Sequence, residues 1–250
     1  MSGHNKWSTI KHKKGKADAV RGKVFTKVIK EITIAAKAGG GDQAGNPRLR
    51  KAVLDARAAN MPMDNIIRAI KKGTGELEGV SYEEITYEAY GPGGTAILID
   101  TMTDNRNRAI ADVRITLNKN GAKMAEVGAV AYLFTQVGQI NVLSGKYAED
   151  DVMMHALDAG ASDVEADDEG WLVTTEYKDL WDIRDKLEAA GLVVGDVKPA
   201  KVASMSVELK GKEAEQMLKI MEAIEDLDDT QNVWSNFDLD AETLKALEGA

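Results

Sequence analysis

The chain has 250 residues, 44% hydrophobic and 29% charged, with no cysteine and a formal net charge of −9. Disulfides, thiolate metal centres and cysteine nucleophiles are therefore excluded, and no apolar run reaches the roughly 20 residues of a membrane span. The N-terminus is polar and basic with no apolar h-region behind it, so the expectation is a cytoplasmic protein without a signal peptide.

The net charge conceals a segregation. Residues 1–75 hold twelve Lys and five Arg against five acids, a net of +12, while residues 76–250 hold 15 basic and 36 acidic groups, a net of −21. Such asymmetry points to a polyanion-binding part joined to an acidic body.

Residues 1–16 lack periodicity and read as a basic arm with Lys6, Trp7, Lys11, His12, Lys13, Lys14 and Lys16. From about Asp18 the spacing predicts a helix with Val24, Val28, Ile32, Ala35 and Ala36 inward. Arg21 follows the arm, and Lys23, Lys27, Lys30 and Lys37 lie on the opposite face, which Ile34 interrupts. Gly39-Gly40-Gly41 ends this helix. Asn46-Pro47 starts a second, Asn as cap and Pro at the first helical position, with Leu49, Val53 and Ala56 inward and Arg48, Arg50, Lys51 and Arg57 outside. A third short helix follows Pro62, with Ile66, Ile67 and Ile70 inward, and stops at Gly73. Asn65, Arg68 and Lys72 share a face of it. The connection through Asn60 and Met61 lacks the glycine usual in a helix-turn-helix.

After the Gly73–Gly79 linker the pattern becomes mixed. Strands are predicted at 83–90, 95–102 and 128–134, with a tight turn at Gly91-Pro92-Gly93-Gly94 and a helix at 106–118. A second unit follows: strand 139–143, helix 149–159, a hairpin of 163–166 with 171–177, helix 180–190 and strand 203–209. Its β-α-β-β-α-β order is ferredoxin-like. A helix at 212–227 and a strand near 233–237 have no sheet of their own unless they rejoin the first α+β unit. The expected fold class is α+β multidomain: an N-terminal three-helix domain, then two α+β (ferredoxin-like) domains, one inserted in the other. The expected domains are 1–78, then 79–137 with 205–250, and the insert 138–204.

Catalytic chemistry is not evident. His4 and His12 sit among lysines, and His155 stands alone on a helix. No G-x-S-x-G or H-E-x-x-H occurs, and the Gly-Pro-Gly-Gly turn neither precedes GK[ST] nor opens a helix. Asp150-Asp151, Asp167-Asp168 and Asp228-Asp229 read as solvated turn or helix-end residues. No catalytic residue, metal site or cofactor is expected. The positive signal is nucleic-acid binding through Lys6, Trp7, Lys11, His12, Lys13, Lys14, Lys16, Arg21, Lys23, Lys27, Lys30, Arg48, Arg50 and Arg68, by phosphate contacts. Trp7 offers either a stacking surface or an anchor on the protein. Base reading in DNA and shape reading in structured RNA both remain open.

The segments GHNKWSTIKHKKGKADAVRGKVFTKVIKEI, GGGDQAGNPRLRKAV, YEAYGPGGTAILIDTMTDNRNR and GAVAYLF closely resemble the YebC/PmpR family, over essentially the whole chain. Asn5 stands where many relatives have Ser. The resemblance implies a helical domain followed by two α+β domains, one interrupting the other. It also implies a non-enzymatic regulator of gene expression. Bacterial members are described as DNA-binding transcriptional regulators, and others act in translation on the ribosome at difficult sequences such as proline runs. The expected partners are therefore DNA, or rRNA and tRNA on the ribosome, with a protein partner for the acidic domains and no membrane.

Overall fold

Gly40, at φ +83, stops the first helix, α1 (Ala19–Gly39), because only a residue without Cβ takes that conformation freely. Asn46 then ties α1 to α2 (Pro47–Ala58). Its Oδ1 accepts the Leu49 N–H at 3.0 Å, and its Nδ2 donates to the carbonyls of Ala35 and Gly40 at 2.8 and 2.9 Å. One buried side chain thus ends one helix and begins the next. These coordinates are a computed structural model that describes residues 19–143, 147–167, 170–240 and 243.

The turn into α3 (Met63–Thr74) is made by Asn60, at φ +60. Asn reaches the left-handed region more readily than most residues, so it supplies the bend that the sequence reading sought in a glycine. Ile32, Leu49, Val53, Ala56, Met61 and Ile66 form the bundle core. Ile67, expected inward, is 45% exposed, while Ala69 is buried in its place. Gly73 is not a stop but a contact: a Cβ there would overlap the Thr33 carbonyl oxygen and come within 2.7 Å of the Ala36 Cβ. It lets α3 lie directly against α1.

The acidic part opens with the hairpin β1 (Glu83–Tyr90) and β2 (Ala96–Thr103), turned by a short helical bend with positive φ at Gly93 and Gly94. Helix α4 (Arg106–Lys119) and the short β3 (Lys123–Met124) follow. The expected strand 128–134 is absent. The Glu88 carboxylate instead accepts the N–H groups of Gly128, Val130 and Ala131 at 2.5, 2.6 and 2.8 Å. A segment whose amides converge on one side chain cannot also ladder into a sheet. The run is apolar enough for a strand, but its backbone donors are spent on Glu88. Burial works against the Glu88 charge, but these three N–H donors outweigh it and hold its pKa below the usual carboxylate value.

The described residues fall into two compact units, one spanning Tyr132–Met205 and the other joining the residues before and after it. The first contains β4 (Phe134–Leu143), α5 (Glu149–Ala159), β5 (Asp163–Asp167), β6 (Gly170–Glu176), α6 (Leu180–Ala189) and β7 (Val194–Ala203). Its sheet order is β5-β6-β4-β7 with every neighbouring pair antiparallel, the ferredoxin-like arrangement. Ile140, Val173, Ile183 and Leu187 lie in its core. Its last strand is β7, not 203–209 as expected. Val207–Leu209 is a separate strand, β8, in the other unit.

There the chain continues into α7 (Gly211–Glu225), β9 (Thr230–Ser235) and β10 (Phe237–Leu239). β9 pairs with β2, giving a sheet of order β3-β1-β2-β9, and β10 pairs in parallel with β8. Ile97 and Ile99 of β2 meet Val113 and Leu117 of α4 and Met217, Ile220 and Ile224 of α7. We call this sheet with its two helices the platform. The protein is thus a three-helix domain followed by two α+β domains, one inserted in the other.

Gly73→Ala should destabilise the protein by about 1–3 kcal/mol, the usual cost of overpacking, although helix propensity alone favours Ala by roughly 0.5–1 kcal/mol. Urea unfolding of the purified protein checks the sign.

Candidate nucleic-acid interface

Lys23, Lys27 and Lys30 recur at helical spacing and share one face of α1. That face meets the end of α7. The last turn of α7 carries no basic residue, and the chain beyond it reads Asp226-Leu227-Asp228-Asp229. Its terminal carbonyls lack intrahelical donors and mark the negative end of the helix dipole. α1 supplies the missing cations. The Lys23 Nζ donates to the Asp226 carbonyl at 3.0 Å, the Lys27 Nζ to the Glu225 carbonyl at 2.9 Å and the Lys30 Nζ to the Asp228 carbonyl at 2.8 Å.

Asp229 is the centre of this contact. Its Oδ1 accepts from the Lys30 Nζ at 2.5 Å. Its Oδ2 accepts from the Thr103 hydroxyl and an Arg108 guanidinium N–H, both at 2.9 Å. Burial opposes the Asp229 charge, but the hydrogen bonds from Lys30, Arg108 and Thr103 prevail and lower its pKa. Donating hydrogen bonds to the Asp229 and Asp104 carboxylates raises the pKa of Arg108. The Lys30 ammonium also lies 5.8 Å from the centroid of the Tyr82 ring. Around this node opens a cleft of about 790 Å³, lined by Lys23, Tyr82, Asp104, Asp112 and Asp226 among others.

The remaining sequence-derived residues divide into three groups. Lys6, Trp7, Lys11, His12, Lys13, Lys14 and Lys16 lie outside the described residues, and Arg21 sits on α1 with its side chain outside them. Arg48 reaches Glu31 and Glu84 with N···O distances of 2.6 Å to each. Burial opposes its charge, and the two carboxylates outweigh that and raise its pKa. Arg50 donates to the carbonyls of Gln43 and Ala44 at 3.0 and 2.9 Å, bracing the turn before α2. Arg68 is exposed on α3, as are Lys71 and Lys72, and Arg57 is exposed on α2. Arg57, expected on the outer face of α2 but not among the candidate contacts, is exposed, and so is Lys71, which a helical wheel of exposed positions finds. Asp229, expected as a solvated turn residue, is instead buried, and it accepts from Lys30, 199 positions away, and from Thr103 and Arg108, partners that no local pattern reveals. Among the described residues no group of acids and histidines is arranged to hold a metal ion, and no helix is long and apolar enough to cross a membrane.

Known families match both parts of the chain. Residues 5–76 match the TACO1/YebC protein N-terminal domain, and residues 82–237 match the TACO1/YebC second and third domain. This protein belongs to the TACO1/YebC family. A probable transcriptional regulatory protein of Geobacter sulfurreducens is 56% identical over 247 residues, covering 99% of this chain and 100% of that one. One from Trichlorobacter lovleyi is 53% identical, with 99% and 100% coverage. The crystal structure of a conserved hypothetical protein from Aquifex aeolicus aligns with a TM-score of 0.84 at 40% identity, covering 92% of this chain and 96% of that one. The TACO1/YebC matches thus divide between the helical domain and the two α+β domains.

Asp229 has a folded pKa below its unfolded value, so its contribution is present above about pH 4 and is lost as pH falls through the depressed folded value. Asp229→Asn should therefore be less stable than wild type at neutral pH, and the difference should shrink below about pH 4. Thermal melts across that range measure it. Lys30→Met, which leaves part of a buried carboxylate uncompensated, should cost about 1–3 kcal/mol, read by urea unfolding at neutral pH.

Proposed function

We propose that this protein is a non-enzymatic, nucleic-acid-binding regulator of gene expression that holds its target through the helical domain and the preceding arm. The observation that carries this reading is the confinement of positive charge: a net of +12 within residues 1–75 against −21 in the remainder. A polyanion is attracted to one end of such a molecule and repelled by the rest, which orients the encounter. The relatives' description as probable transcriptional regulatory proteins supports the same class of activity and favours DNA.

A second reading, binding of structured RNA such as ribosomal RNA in support of translation, draws on a specific feature of α3. Its exposed face carries Met63, Asp64 and Ile67 beside Arg68. Base reading in the major groove favours polar side chains with paired donors and acceptors. An apolar and acidic surface on a helix that also exposes Lys71 and Lys72 suits recognition of backbone and shape better.

Crosslinking in cells followed by sequencing of the bound nucleic acid separates the two readings. Discrete promoter fragments support the first, and enrichment of rRNA or tRNA supports the second. In vitro, six phosphate contacts give a slope of log affinity against log salt of roughly −4 to −5. Lys11, Lys13 and Lys14 changed together to Glu should abolish binding with the α+β domains still folded. Unchanged affinity of that variant at low salt refutes the assignment of the arm.

A further inference from the structure

The bundle and the platform have separate hydrophobic clusters that share no residue. The described bonds between them are polar: Lys23, Lys27 and Lys30 to the end of α7, Lys37 to the Ser81 hydroxyl, and Arg48 to Glu84. Contacts of this kind are less binding than an apolar seam, and relative motion is the default across them. The outermost pair, Lys23 with Asp226, has side chains 44% and 69% exposed and so is weakly held. The innermost, Lys30 with Asp229, has side chains only 7% and 10% exposed. Separation rehydrates both partners of that pair together, which returns the desolvation that burial imposed.

The chemistry of the contact resembles that of a phosphate backbone. Three ammonium groups on one helix face meet a short run of carbonyl and carboxylate oxygens. We propose that the turn after α7, from Glu225 to Asp229, is a built-in competitor for nucleic-acid phosphate, and that binding of a polyanion along α1 displaces it and parts the bundle from the platform. The inference rests on the nucleic-acid reading above and assigns that interface a closed and an open state. In the closed state Lys30 is buried and out of reach of phosphate. In the open state Lys23, Lys27 and Lys30 form an unbroken row on α1, continuous in sequence with the basic arm. Occupancy of the helical domain is thereby reported to the acidic domains as a change in their freedom.

The absence of cysteine makes the test direct, since Ala58→Cys and Asn118→Cys place one label on the exposed surface of each part. Energy transfer between the labels should fall when a short single-stranded RNA or a DNA duplex is added to saturation. Asp226→Asn alters an exposed side chain and should keep the fold, and Asp226→Asn with Asp229→Asn removes both competing charges. Either should bind the nucleic acid more tightly, the double variant by roughly threefold to tenfold, and the double variant should show reduced transfer before any is added. Binding with unchanged transfer, or an Asp226→Asn variant that binds no more tightly than wild type, overturns the competitor. Heparin distinguishes this failure from that of the function itself. If neither RNA nor DNA binds, the nucleic-acid reading falls, and the competitor stands or falls on whether heparin lowers the transfer.

Discussion

Asp229 is the constraint on which the larger unit depends. One nearly buried carboxylate receives Lys30 from the bundle and Thr103 and Arg108 from the platform. Each oxygen is committed, so in this closed arrangement the ionised group holds all three donors. Without it, the join between bundle and platform would rest on the surrounding polar contacts, among them Lys23 with Asp226 and Arg48 with Glu84. The location follows from helix electrostatics. α7 ends without a cation of its own, and α1 presents three.

A similar economy appears at Glu88 and Asn46. Each is a buried polar side chain that organises an irregular backbone segment, Glu88 by gathering three amides and Asn46 by bridging two helix ends. Irregular backbone needs such partners because it cannot satisfy its own donors and acceptors. These residues are what allow short loops to connect elements in two separate cores without loose ends.

The architecture was largely legible because its signals are local. The cap Asn46-Pro47, the helix Glu149–Ala159 and the alternation of the β5–β6 hairpin each follow from residues within a few positions of one another. The errors arose where a distant partner overrode the local pattern. The apolar stretch near Val130 reads as a strand only if Glu88 is ignored, and Ile67 reads as core only if the tilt of α3 is guessed. The lysine row of α1 shows the same limit more sharply. Opposite a hydrophobic stripe, Lys23, Lys27 and Lys30 are indistinguishable from a solvated face, and their oxygen partners lie about 200 residues further along. Spacing identified the row correctly but carried no information about what it meets.

The pairing of β4 with β7 has a consequence for how such a chain tolerates an entire extra domain. The two strands are in register from Phe134 opposite Ala203 to Ile140 opposite Val197, and the Ser204 N–H donates to the Leu133 carbonyl at 2.8 Å. The points where the chain enters and leaves the insert are thus zipped side by side. To the surrounding fold, more than 70 residues behave as a hairpin loop whose ends are already closed, so its length adds almost nothing to the entropy of bringing β3 and β8 into their places. A domain mounted on such a closed stem is free to change in sequence or size, or to be exchanged for a short turn, while the host sheet keeps its register.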